Sequence, residues 1–109
     1  MNVNTDSKTI DEMFDLFSSA RRRRLWLYMT DTDDEVFPFE ELVDHLTMRE
    51  ENGGEEELRR TSIEATLHHI DLPKLGDFGL IEYDARSGTV RCGDTEMRPF
   101  IEDLVRIGP

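Results

Sequence analysis

A single cysteine, Cys92, cannot close a disulfide within the chain and leaves no cysteine cage for zinc. Lysine is nearly missing too: Lys8 and Lys74 stand against eleven arginines. No apolar run approaches the roughly 20 residues of a membrane span, and the opening MNVNTDSK lacks the apolar core of a signal peptide. A cytoplasmic protein with no membrane partner is expected. There is no glycine-rich loop of phosphate-cradling spacing and no legible nucleophile, base and orienter, so an enzyme is not expected. His45, His68, His69 and Cys92 raise the question of a metal. Adjacent His68 and His69 diverge by about 100° on a helix and miss the i, i+4 spacing of a zinc pair. Packing or hydrogen bonding is the expectation for them, with no metal and no cofactor.

What the chain does have is acid. It carries 25 Asp and Glu against 13 basic residues over 109 positions, a net charge of −12, and 35% of its residues are charged. A carboxylate-rich, lysine-poor surface suits a protein in concentrated salt, where hydrated acidic groups keep it dispersed and self-repulsion is screened. A halophilic archaeal cytoplasm is the reading; a mesophilic acidic protein is the alternative. The 37% of hydrophobic residues fall in periodic faces, enough for one domain with a core.

Residues 1–7 read as a flexible tail. Thr9 with Glu12 fits a capping box, and Ile10, Met13, Phe14 and Phe17 make one apolar stripe on a short helix. Ser18 and Ser19 interrupt it and can cap the next helix. That helix runs through Arg21 to Arg24 into Leu25-Trp26-Leu27-Tyr28-Met29, apolar on more than one side as in a central helix. An acidic loop, TDTDDE, leads to Val36-Phe37, a short strand placed to cover a later hairpin. Pro38 suits the start of a helix whose apolar side is Phe39, Leu42, Val43 and Leu46. The breaker Asn52-Gly53-Gly54 follows. A long helix begins near Glu56, with Ile63, Leu67 and Ile70 inward and a kink or break near Ile70-Asp71-Leu72 imposed by Pro73. Gly79 is placed for a left-handed cap. Leu80 to Asp84 and Thr89 to Cys92 then form two strands about a tight turn, Ala85 to Gly88. Gly93-Asp94 turn the chain into a last helix striped by Met97, Phe100, Ile101, Leu104 and Val105, with Pro99 tolerable only in the first turn. The fold class is mainly α with a small β-hairpin. Its order is that of a winged helix-turn-helix over residues 8–93, with an added C-terminal helix over 94–109.

Four pieces in sequence, FDLFSSARRRRLWLYM, FEELVDHL, LHHIDLPKLGDFGLIEYD and SGTVR, resemble haloarchaeal winged-helix domains of unknown function. These are related in form to the ArsR and MarR types of transcriptional regulator. The resemblance spans roughly Ile10 to Cys92 and implies a DNA-binding regulator. One departure is that Arg49 to Glu56 is longer and more acidic than the usual three- or four-residue turn.

On that reading the helix from Glu56 to Ile70 faces a duplex. Thr61, Ser62, Ala65, His68 and His69 point outward, where hydroxyl and imidazole groups can bond base edges and Ala can touch a thymine methyl. Arg59 and Arg60 flank the face and can hold phosphates; a polar solvated face is the alternative. Arg86 and Arg91 lie on the hairpin, suited to the backbone or minor groove. Four consecutive helical arginines spread around the axis. One or two of them, Arg21 and Arg22, can touch phosphate, and the rest pair with carboxylates or lie along apolar surface. Trp26, Phe100, Ile101, Leu104 and Val105 are candidates for a homodimer contact, since such domains bind palindromes as symmetric pairs. The expected partner is double-stranded DNA. A protein-interaction module without DNA affinity is the rival, motivated by the acidic total.

Overall fold

The computed structural model describes residues 11–49, 55–93 and 98–107. The tail at 1–7, the Thr9 capping box, Ile10, the Asn52-Gly53-Gly54 breaker, Asp94 and Met97 lie outside them. In order come α1 (11–16), α2 (Ala20–Thr30), β1 (Val36–Pro38), α3 (Phe39–Arg49) and α4 (Glu56–Thr66). A π-turn (Leu67–Asp71), α5 (Leu72–Asp77), β2 (Ile81–Asp84), β3 (Thr89–Cys92) and α6 (Arg98–Ile107) follow. The fold is mostly helical with one small three-stranded antiparallel sheet of order β1-β3-β2.

α1 buries Met13 and Leu16, and Phe17 just beyond it is buried too, but Phe14 is 51% exposed. So short a helix can turn only one narrow stripe inward, and Phe14 sits about 100° from Met13. Ser19 caps α2, its hydroxyl accepting from the Arg22 backbone N–H at 3.2 Å. The arginine run closes the end of α1: Arg22 Nε donates to Leu16 O at 2.6 Å and the Arg23 guanidinium to Phe17 O at 2.7 Å. Carbonyls at a helix end have no intrahelical partner, and basic side chains supply one. Leu25, Trp26 and Met29 of α2 are buried, with Tyr28 half-buried. Trp26 meets the ring of Phe17 edge-on at 6.3 Å. Fully enclosed by its own chain, Trp26 is a core residue and not a dimer contact.

The expected break at Pro73 takes a specific form. Proline has no N–H for the carbonyl of His69 four residues back, and the helix accommodates it with an extra residue per turn, the Leu72 N–H donating to Leu67 O five residues back. The added residue shifts the apolar register. Ile63, Leu67, Leu72 and Leu75 are buried, Asp71 is buried with them, and Ile70 swings outward to 45% exposure, against the expectation that it faces the core. After α5 the Gly79 N–H bonds Gly76 O and the Leu80 N–H bonds Leu75 O, a Schellman ending that needs the left-handed φ of +72° at Gly79.

The hairpin gains a third strand, as the Val36-Phe37 pattern anticipates. β3 is central: Phe37 and Tyr83 both flank Val90 across the ladder. Alternation turns Phe37, Val90, Ile81 and Tyr83 toward the core and Val36, Glu82 and Arg91 to solvent. At the exit, the Gly93 N–H donates to Leu80 O at 2.7 Å, and a Cβ there would stand 2.5 Å from Gly79 O. Pro99 falls in the first turn of α6. Ile101 is fully buried and Leu104 packs half-buried on the same core. Ile101 is therefore also spent inside the chain and not offered to a second copy; the side chains of Phe100 and Val105 are outside the described residues. Among the described residues no helix is long and apolar enough to cross a membrane.

Candidate functional site

α4 begins with Glu56 and Glu57 in its first turn, where negative charge meets the positive end of the helix dipole. With Ile63 and Leu67 inward, the opposite side presents Leu58, Thr61, Ser62, Ala65 and His69, all exposed. Leu58, Ser62, Ala65 and His69 follow i, i+4, i+7, i+11, which is one straight stripe. Thr61 donates its hydroxyl to Glu57 O at 3.0 Å and keeps its oxygen toward solvent. The sequence placed these residues outward, and four of the five expected base-facing positions are exposed.

His68 is the fifth, and it is not. Its Nδ1 lies 2.7 Å from the Tyr83 hydroxyl, and its ring meets Phe39 edge-on. Phe39 stacks on Tyr83 in turn, centroids 6.0 Å apart, and burial pushes the Tyr83 phenol up. His68 thus ties the π-turn to β2 and the start of α3 instead of reaching outward.

Arg60 is turned the same way, held by two carboxylates of α3. It donates to Asp44 at 2.6 Å and Glu40 at 2.9 Å, with Glu64 at 4.0 Å. Those bonds, Asp44 first, raise its pKa further. Satisfied at this seam, Arg60 does not stand ready for phosphate. Arg59 is half-buried, and its Nε has no hydrogen-bond partner among the described residues. Arg22 pairs with Asp71 at 3.0 Å, their side chains 11% and 3% exposed. A guanidinium committed to a buried carboxylate and to Leu16 O is a clip between α2 and the π-turn, not a backbone contact for DNA. Arg21 sits half-buried on the same helix.

The hairpin differs. Asp84 Oδ1 accepts from the backbone N–H groups of Arg86 and Ser87 at 3.0 and 3.4 Å. Hydrogen bonds from the Ser87 side chain, then from those backbone groups, hold the Asp84 carboxyl below its ordinary value. Gly88 closes the turn with φ +70° and hands its carbonyl to the Phe39 N–H at 2.8 Å, docking the turn against α3. On this built turn Arg86 is exposed, and Arg91 stands exposed on the outer side of β3 beside Glu82. Among the described residues neither guanidinium is drawn into an ion pair.

One cluster had no sequence signal. Tyr28 donates to Glu41 at 2.6 Å and stacks on His45, centroids 4.0 Å apart. That bond to Glu41, followed by burial, pushes the Tyr28 phenol up to about 12. The partners lie 13 and 17 positions away, so only the packing of α2 on α3 brings them together. An open cleft of about 300 Å³ lies alongside, lined by Arg24, Leu27 and His45 among others.

Residues 14–91 match the family described as Domain of unknown function (DUF7344). No curated protein and no solved structure matches the chain.

Proposed function

The chain belongs to this family, whose description assigns no activity, and from its geometry we propose a DNA-binding transcriptional regulator of winged helix-turn-helix type. In this reading α3 and α4 are the helix pair, α4 enters the major groove, and β2-β3 is the wing. The observation that carries it is an exposed α4 face, Thr61, Ser62, Ala65 and His69, followed in the chain by a hairpin with exposed Arg86 and Arg91. Side-chain hydroxyl and imidazole groups read base edges, and the hairpin arginines hold backbone. The kinship to ArsR- and MarR-type regulators, the halophilic archaeal source and the cytoplasmic setting belong to the same proposal. So does a symmetric pair of chains on a palindromic site, with its contact elsewhere than Trp26 and Ile101.

Net charge −12 sets a quantitative condition. Counterion release gives a slope of about −0.9 in log K against log salt for each phosphate neutralised. Two hairpin arginines therefore give a slope near −2, shallow for a DNA-binding protein, and base contacts must supply more of the affinity. Selection from a randomised duplex pool in molar KCl should enrich one sequence, and anisotropy titrations on that duplex should give the shallow slope.

A second reading, a protein-interaction module on the same fold, is favoured by the capture of Arg60 by Glu40 and Asp44 and by exposed Glu55, Glu56 and Glu57. Recovery of a stoichiometric protein from the host, with no duplex enriched, would decide for it.

A further inference from the structure

We infer that the α4 face selects thymine through its methyl group, so that the target is rich in A·T pairs; this rests on the DNA-binding reading above. Direct readout of guanine relies on Arg or Lys, and bidentate readout of adenine on Asn or Gln. None of these stands on the outward stripe, which is Leu58, Thr61, Ser62, Ala65 and His69. The long donors nearest it are Arg59 and Arg60, one half-buried at the flank and the other held by Asp44 and Glu40. The stripe does hold apolar surface where a soluble chain gains nothing from it: Leu58 is 67% exposed and Ala65 is exposed beside it. Thr61 adds a third methyl-bearing side chain.

In the major groove only thymine offers a methyl, and apolar side chains are its partners. Leu58 and Ala65 are seven residues apart, about 10 Å along the axis at ~1.5 Å per residue. That distance matches about three base-pair steps at ~3.4 Å. Ser62, between them, accepts or donates to either purine and so does not oppose an A·T step. His69 extends the stripe into the π-turn, where its ring lies against that of His68 with centroids 4.6 Å apart.

The test uses the full chain and the duplex enriched from the randomised pool. That duplex is synthesised twice, once with thymidine and once with deoxyuridine, which removes the methyl and leaves every hydrogen-bonding group in place. Wild-type protein should bind the deoxyuridine duplex more weakly, by about fourfold for each methyl it covers. The variant Leu58→Ser with Ala65→Ser, checked for native circular dichroism, should keep only the part of the thymidine preference that Thr61 supplies. An enriched duplex bound equally well with either base by wild-type protein overturns the inference while leaving DNA binding intact. So does a thymidine preference that persists undiminished in the double variant. If no duplex is enriched, the DNA-binding reading itself falls, and this inference with it.

Discussion

Arg60 and Arg86 bear the same side chain in opposite settings. Arg60 sits in the seam between α3 and α4 with two carboxylates within 3 Å. Arg86 rides an exposed turn whose own carboxylate, Asp84, is occupied with backbone N–H groups. The other seams of the helical layer are closed in the same way: Arg22 of α2 with Asp71 of the π-turn, His68 of the π-turn with Tyr83 of β2, Tyr28 of α2 with Glu41 of α3. The hairpin and the outer stripe of α4 are open. A polar residue's availability is thus set by what the fold puts opposite it: Arg60 is drawn onto Glu40 and Asp44, while Arg86 and Arg91, the latter beside Glu82 on the ladder, stay out of ion pairs among the described residues.

The sharpest way to break the closed side is to remove half of its buried pair. Arg22→Ala leaves the Asp71 carboxylate in a site 3% exposed, and loss of one partner of a buried pair costs about 3–5 kcal/mol. Denaturant unfolding should show it. The double variant Arg22→Met with Asp71→Leu should be more stable than Arg22→Ala alone, because no buried carboxylate deprived of its guanidinium stays behind. A double variant no better than the single would remove charge pairing as the reason.

Next in size is Gly93→Ala. A Cβ at 2.5 Å from Gly79 O meets backbone and not a flexible side-chain end, so the exit from the sheet must shift, at about 1–3 kcal/mol. An unchanged melting temperature would mean that the approach of β3's end to the Gly79 turn is loose enough to admit a methyl group.

Tyr28 gives a smaller effect confined to alkaline pH. Its phenol is raised from 10.0 to about 12 by donating to Glu41. A group whose folded pKa is raised contributes stability that is complete below the unfolded value and is lost as pH rises through the folded one. Wild-type stability should therefore decline between pH 10 and about 12 more steeply than that of Tyr28→Phe, which has no such proton to lose. Parallel curves in that window would show that the bond to Glu41 does not hold the phenol.

Smallest of all should be Arg60→Ala. Exposed ion pairs add little, and here the Arg60 side chain is 33% exposed and its partners Glu40 and Asp44 68% and 60%, so the unfolding midpoint should barely move.

Much of this arrangement was legible in the chain. Val36-Phe37 reads as a covering strand because it alternates and stops at a proline. Gly79 reads as a left-handed cap because nothing else terminates the helix before Leu80. Pro73 announced a break, but a missing N–H does not say how the helix repairs it. The five-residue turn that puts Asp71 inward and Ile70 outward is a response of the whole packing. The same holds for the site. Ser62, Ala65 and His69 are exposed as their spacing requires, since helical phase is local. Spacing alone turns His68 outward, sets Arg60 at the flank and leaves Arg22 able to touch phosphate, because their partners Tyr83, Asp44 with Glu40, and Asp71 lie 15 to 49 positions away. Trp26 looked available for a partner because its helix is apolar on two sides, and in a small core both sides can be filled from within.

The measurement that bears most directly on the account is duplex affinity for Arg86→Ala with Arg91→Ala set against Arg60→Ala, on the selected duplex at one salt concentration. The open hairpin should matter and the closed seam should not. The hairpin variant should bind far more weakly, with its salt slope reduced by about 2, while Arg60→Ala binds as the parent does. Equal loss in both, or loss only in Arg60→Ala, would contradict the division between closed and open arginines on which the proposed function stands.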